Sequence, residues 1–357
     1  MSTRRFRTED RALDVLYDRL SATDLQPLWE LTGLLTPEPV AAAVPYRWSG
    51  EELRALGEAS GELVPVERGG DRRVLACCNP GLDGAPYAVP TLWAAVQYLR
   101  AGEVAPAHRH TPAALRFITQ GHGVWTLVDG DPIHMSEGDL VLTPSWTFHE
   151  HHNPSSEAMT WVDVLDLPIV AALGAVFFED GPADDASTAT APRSTSESWY
   201  GGGPGLVPVA GAAAPGARSP LLAYRWADTD RALATQLQAS GRGVAAIRFA
   251  NPVRGGDVMP TLRCEMHRVE AGRRTDRTRQ TGGRVVCVLH GTGAIAIGGE
   301  TFDAGPGDIL AIPSWSAWDV RAETELDLFS TSDAPVLEAL GLMRHDTVES
   351  ADPVMVP

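Results

Sequence analysis

The strongest constraint on the fold is an internal repeat, because the chain carries the same spaced set of glycine, proline and tryptophan residues twice. The first copy consists of Gly102, Gly121, Gly138, Pro144 and Trp146, and the second of Gly272, Gly291, Gly307, Pro313 and Trp315. Upstream of each copy an Asn-Pro pair precedes a Pro-Thr-Leu triplet, within residues 79–92 and 251–262. Self-similarity of this kind predicts two tandem copies of one structural unit.

Each copy has the pattern of short strands separated by tight turns. In the first copy the apolar run 124–128 ends at Asp129-Gly130, and in the second the run 294–297 ends at Gly298-Gly299. Both dipeptides are typical of two-residue hairpins. Many short strands with such turns predict an all-β chain made of two jelly-roll barrels, each of them a double sheet.

Outside the repeats the sequence has a helical pattern in one segment and a linker-like composition in another. Between residues 10 and 35 leucines recur at helical intervals, with Thr23 or Asp24 as a possible N-cap between two helices. Residues 181–220 are rich in alanine, glycine, proline, serine and threonine, as expected for a linker. The predicted organisation is an N-terminal helical arm at 1–65, barrel 1 at 66–180, the linker at 181–220 and barrel 2 at 221–357.

Composition narrows the range of partners. The chain has 357 residues, of which 44% are hydrophobic, and this suffices for two ordinary cores. Its formal net charge of -17 disfavours nonspecific binding to nucleic acid or an anionic membrane, so a small-molecule partner is expected. The N-terminus has no apolar signal segment and no apolar stretch approaches membrane-spanning length, so we expect a cytoplasmic protein.

Three histidines of the first repeat form a candidate metal site. Residues two apart on a strand point to the same side, so His108 and His110 share the barrel interior while Arg109 points away. His149, from a later strand, completes a face of three imidazoles. Imidazole suits iron, copper, nickel and zinc alike, and the open coordination positions favour catalysis. The alternative is an accidental His-x-His in a surface strand.

The second repeat lacks these histidines. Thr278, Gln280 and Trp318 occupy the corresponding positions, and their side chains cannot form a comparable metal site. We therefore predict one metal ion per subunit, in barrel 1, and a structural role for barrel 2.

Two more histidines follow the third candidate ligand. By alternation His151 faces the same side as His149, where it can act as a base or serve only as a packing partner. His152 is expected to face outward into solvent.

Three further side chains are candidates for binding a substrate. Arg116 can face inward, where a buried guanidinium requires an anion such as a substrate carboxylate; the alternative is a surface ion pair. Trp93 and Gln97 lie on one strand face, which suits a flat aromatic substrate, although Trp93 could equally be a core residue.

At these residues the chain resembles the bicupin ring-cleaving dioxygenases, the family of gentisate 1,2-dioxygenase and its salicylate and 1-hydroxy-2-naphthoate relatives. The resemblance covers most of the chain and rests on several motifs at consistent spacing. These are residues 27–30 (PLWE), 72–75 (RRVL), 79–81 (NPG), 97 (Q), 108–111 (HRHT), 114–117 (ALRF), 142–146 (LTPSW) and 161–166 (WVDVLD).

The resemblance implies Fe(II), one ion per subunit, bound by His108, His110 and His149 of barrel 1. In this family the substrate chelates iron through its carboxylate and the adjacent ring hydroxyl, and dioxygen takes a remaining position. The ring then opens between the two carbons that bear those groups. Many cupins have a glutamate four residues after the second histidine, but here Ala114 stands there, so no carboxylate ligand is expected.

The resemblance also assigns roles to the residues around the metal. Position by position, Arg72 and Arg116 would hold the carboxylate with Arg68 as a weaker candidate, Trp93 and Gln97 would line the ring pocket, and His151 would bond to the reacting oxygens. The family further implies a homotetramer, in which barrel 2 serves assembly and packing.

Other function classes remain as alternatives. One is a different cupin metal enzyme, such as a diketone or flavonol dioxygenase or a hydrolase that uses zinc-bound water. Another is a non-catalytic cupin that binds a small molecule. The substrate itself stays undecided among gentisate, salicylate, a hydroxynaphthoate and a specialised analogue.

Overall fold

The computed structural model describes residues 9–65, 73–181, 194–203, 206–209 and 217–348. The chain divides into two compact units, Met1–Val40 and Ala41–Pro357. The helices are α1 Arg11–Ala22, α2 Gly50–Leu63, α3 Leu167–Ala172, α4 Thr195–Tyr200, α5 Trp226–Ser240 and α6 Ala334–Ala339. None of the helices in these ranges has the length and apolar character needed to cross a membrane.

The first unit contains one α-helix where the sequence predicted two. Helix α1 begins after Asp10, whose carboxylate accepts a 2.8 Å hydrogen bond from the backbone N–H of Ala12. The expected second helix is only a single 3₁₀ turn, Leu28–Glu30, so that prediction was wrong. Pro27 biases the preceding residue away from helical geometry, and Gly33 has a φ of 82°, so a longer helix cannot form here.

The second unit is built from short strands. Those of the N-terminal half are β1 Tyr46–Trp48, β2 Val74–Ala76, β3 Trp93–Leu99, β4 Val104–His110, β5 Ala114–Gln120, β6 His122–Val128, β7 Asp131–Ser136, β8 Leu140–Thr143, β9 His149–His152, β10 Met159–Leu165 and β11 Phe178–Asp180. Those of the C-terminal half are β12 Ala223–Tyr224, β13 Val244–Arg248, β14 Arg263–Val269, β15 Thr278–Gln280, β16 Arg284–His290, β17 Gly293–Ile297, β18 Glu300–Ala304, β19 Ile309–Ile312, β20 Trp318–Ala322, β21 Leu326–Ser332 and β22 His345–Thr347.

These strands form four antiparallel sheets, two for each barrel. Barrel 1 combines the strand order β12-β8-β5-β10-β3-β2 with β11-β4-β9-β6-β7, and barrel 2 combines β1-β19-β16-β21-β14-β13 with β18-β17-β20-β15-β22. The turn between β6 and β7 has positive φ at both Asp129 and Gly130, as a two-residue hairpin requires. The predicted all-β architecture of two jelly-roll barrels is therefore confirmed.

Each six-stranded sheet is completed by a strand that lies outside the sequence range of its own barrel. Strand β1 lies in the segment 1–65 but pairs with β19 of barrel 2, with Tyr46 opposite Ala311. Strand β12 lies at the start of the range 221–357 but pairs with β8 of barrel 1, with Ala223 opposite Val141. The segment 1–65 is thus not helical throughout, and backbone hydrogen bonds tie the two barrels together.

The two six-stranded sheets also share a hydrophobic core. Alternate residues of β5 and β16 point into their own barrels, while Leu115, Phe117, Val285 and Cys287 belong to one cluster that spans both halves of the chain. The ring of Phe117 stacks on that of Phe329, with centroids 4.2 Å apart and planes within 6°. Burial on both faces explains why these strands are apolar along most of their length.

This shared core predicts a large stability effect at Phe117. Its side chain is fully buried, so Phe117→Ala should lower the free energy of unfolding by about 3–5 kcal/mol through the lost burial and the cavity left behind. Urea unfolding followed by tryptophan fluorescence measures the change. The matched variant Phe178→Ala removes a ring that is 46% exposed and should cost far less. Equal losses would contradict the burial of Phe117 in this core.

Candidate metal centre

Two paired strands bring the three predicted histidines together inside barrel 1. Strand β4 carries His108 and His110, and β9 begins at His149, which lies directly opposite His108 in the ladder. The ring centroids of His108 and His110 are 4.3 and 4.9 Å from that of His149. One nitrogen of each ring lies within 4.8 Å of the others, a separation that a single metal ion can bridge.

Backbone carbonyls fix the orientation of all three imidazoles. The Nδ1 atoms of His108, His110 and His149 lie 3.0, 2.7 and 3.1 Å from the carbonyl oxygens of Pro106, Pro112 and Thr147. An Nδ1–H that donates to a carbonyl leaves Nε2 as the lone-pair nitrogen. The Nε2 atom of His149 is buried and has no hydrogen-bond partner among the described residues. This donor set fits a metal ion.

Burial keeps the rings of His110 and His149 neutral. Burial is the largest cause that lowers the pKa of His110 to about 4, and the neighbouring His108 and Arg116 lower it further. Burial also places the pKa of His149 well below its ordinary value, with Arg116 as the next cause. Neutral imidazoles bind a metal ion without first losing a proton.

Arg109, between the first two candidate ligands, points out of the barrel as alternation predicts. Its Nε donates a 2.9 Å hydrogen bond to Glu179, and its guanidinium carbon lies 4.4 Å from the ring centroids of both Trp146 and Phe148. Arg109 therefore belongs to the outer surface and takes no part in the metal site.

Arg116 lies on the interior face of the opposite sheet and is 96% buried, so the alternative of a surface ion pair is excluded. Its Nη1 donates to the hydroxyl of Thr143, and its Nε lies 3.4 Å from Oδ1 of Asp163 without forming a hydrogen bond. Burial raises the pKa of Asp163 to about 6, against the lowering effect of Arg116. Asp163 thus partly balances the charge of Arg116, for which the sequence suggested only a substrate anion as the buried partner.

The predicted aromatic and amide residues line the same interior face. Strand β3 pairs with β10, which puts Trp93, Ala95 and Gln97 opposite Leu165, Asp163 and Trp161. Gln97 is buried, while Trp93 is partly exposed. The indole N–H of Trp161 donates to Asp163 at 3.2 Å. These side chains form a wall that faces the three histidines.

His151 faces the barrel interior, as alternation predicts, but His152 does not reach solvent. The ring of His151 is buried beside His149 and Trp161, and its Nδ1 has no hydrogen-bond partner in the described part of the chain. His152 stacks on Trp125 at 4.1 Å and is only 9% exposed, so the expectation of a solvated histidine was wrong. The outer face of β9 is therefore covered at His152.

Barrel 2 fills the corresponding interior with an ion pair. Thr278 lies opposite Trp318, as His108 lies opposite His149 in barrel 1. Arg284 donates to Glu265 at 2.7 Å and also to Ser330. Among the described residues the three histidines of barrel 1 are the one cluster that could hold a metal ion.

Arg68 and Arg72 lie outside the described ranges, so their roles stay predictions.

The contacts of Asp163 and Thr143 with Arg116 were not predicted, although both residues lie within the motifs that carry the family resemblance. Strand alternation from Trp161 would have placed Asp163 inside the barrel, but its pairing with Arg116 depends on strand order.

Comparison with known proteins agrees with this geometry. A model of the cupin domain matches residues 95–165. The chain is 47% identical to a gentisate 1,2-dioxygenase of a Streptomyces species, over 94% of this chain and 96% of the relative. It is 32% identical to a 5-aminosalicylate 1,2-dioxygenase of a Comamonas species, over 96% and 92% of the two chains. The crystal structure of salicylate 1,2-dioxygenase from Pseudaminobacter salicylatoxidans superposes with a TM-score of 0.91 at 45% identity, covering 96% of this chain and 99% of that chain.

Two jelly-roll barrels with three metal-directed imidazoles in the first define a two-barrel cupin metalloprotein. Similarity over more than nine tenths of the chain narrows this class. The chain belongs to the gentisate and salicylate 1,2-dioxygenase family, and it is therefore a metal-dependent, ring-cleaving dioxygenase.

Proposed function

We propose that the chain binds Fe(II) through His108, His110 and His149 and cleaves an aromatic acid that carries a hydroxyl group next to its carboxylate. The ring opens between the carbons that bear these two groups, and dioxygen is the second substrate. The observation that carries the proposal is the buried Arg116 guanidinium on the wall that faces the three clustered imidazoles.

Charge balance favours an anionic, chelating substrate. Imidazole ligands carry no charge when they bind a metal ion, and among the described residues Asp163 partly offsets Arg116, so a bound dication would leave the cavity with excess positive charge. A carboxylate with an adjacent phenol oxygen supplies the missing negative charge and two ligand atoms at once. Iron bound there would supply open coordination positions and the redox chemistry that joins the aromatic acid to dioxygen.

The surrounding residues position the substrate. Arg116 would donate to its carboxylate and so hold the adjacent hydroxyl toward the three histidines. Trp93 would pack on the substrate ring and Gln97 would hydrogen-bond to one edge of it, since both face the cavity from β3. Arg72, with Arg68 as the weaker candidate, would add a second donor to the carboxylate.

Oxygen uptake tests the proposal. Protein reconstituted with Fe(II) and kept anaerobic until mixing should consume dioxygen with gentisate, salicylate or 1-hydroxy-2-naphthoate, with a ring-fission product seen by absorbance. Hydroquinone is the matched control, because it is gentisate without the carboxylate, and it should give no uptake. Equal rates with hydroquinone, or silence with all three acids despite bound iron, would overturn the proposed substrate class.

His151 is proposed to move a proton to or from the reacting oxygens. Its ring lies beside His149 and inside the barrel, and its free Nδ1 is available for such a bond. His151→Gln should leave iron content unchanged and lower kcat by roughly 10²- to 10⁴-fold, the usual contribution of a positioned acid or base. The control is His122→Gln, at an exposed position. An unchanged kcat would show that His151 only packs.

Two properties are proposed on the family resemblance. We expect a homotetramer, which light scattering measures directly, and a cytoplasmic location. The preference among gentisate, salicylate and related acids is ranked by the same oxygen-uptake assay.

A further inference from the structure

A buried carboxylate, that of Glu150, lies on the face of β9 opposite to the one that carries His149. Glu150 stands between His149 and His151 but points to the other side of the sheet, and it is only 5% exposed. Its Oε1 has no hydrogen-bond partner among the described residues. The Nε2 atom of His152 lies 3.3 Å from Oε1 without forming a hydrogen bond. A buried carboxylate oxygen without a donor is costly.

This carboxylate lines a cleft of about 300 Å³. The other lining residues are Ala107, Leu127, Phe148, the turn residues Asp129 and Gly130, and the candidate metal ligand His149. The walls are thus mostly apolar, and the cleft combines them with one buried and one exposed acidic side chain. Such a surface suits a flat cation with N–H donors at its edge.

In barrel 2 the residue equivalent to Glu150 is a carboxylate that has arginine partners. Asp319 follows Trp318 as Glu150 follows His149, and each lies opposite the equivalent strand residue, Ala296 or Leu127. Asp319 is only 2% exposed and accepts hydrogen bonds from two arginines. These arginines have no counterpart of the same type in barrel 1.

The arginine that fills the position in barrel 2 is Arg277. It precedes Thr278 as Ala107 precedes His108, so the two residues are structural equivalents. Arg277 donates to Asp319 at 2.6 Å and also to the carbonyl of Gly298, the counterpart of Asp129. Arg274 adds a 2.7 Å bond, and its counterpart in barrel 1 is Val104. Barrel 1 therefore keeps the carboxylate but lacks both guanidinium groups.

We propose that the outer cleft of barrel 1 binds a guanidinium group, with Glu150 as its carboxylate partner. The group takes the place that the Arg277 guanidinium holds in barrel 2, and it lies against Leu127 and Phe148. The nearby Arg109 guanidinium is paired with Glu179 above the Phe148 ring. All 29 basic residues of the chain are arginines, so a second copy would offer this same chemistry. A free guanidinium compound and an arginine of another copy are the two sources.

Methylguanidinium is the probe, and thermal unfolding at fixed ionic strength, with sodium chloride as the matched salt, is the first readout. The wild-type midpoint should rise saturably with the probe. Glu150→Gln should weaken binding of the probe at least ~10-fold, because it removes a charge-assisted hydrogen bond.

Ala107→Arg should raise the unfolding midpoint without the probe and abolish the response to the probe, since it recreates the Arg277 arrangement. Glu157→Gln, the same charge change at an exposed site, should behave like wild type.

Light scattering separates the two sources. A site for a free guanidinium compound is supported if wild type and Glu157→Gln both respond to the probe and Glu150→Gln does not. No response in wild type, together with a smaller assembly for Glu150→Gln alone, supports an arginine donated by a second copy. A response that persists in Glu150→Gln would overturn the proposal. So would the absence of both a response and a change in mass.

Discussion

Protein with alanine in place of His149 should bind less than a tenth of the wild-type iron and should show no measurable ring cleavage. His149 is the candidate ligand at the centre of the cluster, since its ring lies closest to both others. Losing an outer partner of a metal ligand already costs about 10- to 100-fold, and loss of a ligand itself should cost more. Metal analysis after Fe(II) reconstitution and oxygen uptake measure the two effects.

A matched variant separates ligand loss from general damage to the barrel. His152→Ala removes an imidazole from the same strand, but on its outer face, where the ring stacks on Trp125. That variant should keep iron near one ion per subunit. His149→Ala protein that retained iron at wild-type occupancy would disprove the ligand assignment.

Removing the Arg116 charge should impair substrate binding while sparing iron. Charge-assisted hydrogen bonds contribute about 1.5–3 kcal/mol each, so loss of a guanidinium that holds a carboxylate should lower kcat/KM by ~100-fold or more. Steady-state oxygen uptake across substrate concentrations, with iron content measured in parallel, tests this. Unchanged saturation kinetics would show that Arg116 does not meet the substrate.

The buried partner of Arg116 dictates the design of that experiment. Arg116→Gln alone leaves Asp163 as an uncompensated buried carboxylate, and breaking a buried pair typically costs 3–5 kcal/mol of stability. The double variant with Asp163→Asn removes both charges and should retain more of the fold. Arg109→Gln supplies the matched control, because it deletes a guanidinium that points away from the cavity. Iron content and substrate kinetics of this control should stay near wild type.

The sequence predicted what depends on local pattern. Alternation along one strand is enough to put His108 and His110 on the same face, and the repeat is enough to show that Thr278 and Gln280 replace them. Turn chemistry likewise predicted the hairpin at Asp129-Gly130, because few residues other than glycine and asparagine or aspartate accept positive φ there.

Features that depend on distant strand pairing were not predictable in this way. Asp163 meets Arg116 only because β10 lies beside β5, an adjacency that no local pattern reveals. The covered position of His152 has the same origin, since Trp125 reaches it from the neighbouring β6. In the arm, leucine spacing suggested a second helix, but proline and glycine at nearby positions prevented it.

The exchange of strands between barrels has a consequence for synthesis on the ribosome. Strand β1 leaves the ribosome long before its partner β19, since Tyr46 pairs with Ala311. At ordinary translation rates those residues appear on the order of 10–50 s apart. During that interval the first barrel can form most of its ladder, but the edge of β1 has no partner. Removal of the N-terminal residues through Trp48 would therefore destabilise barrel 2, which is synthesised last.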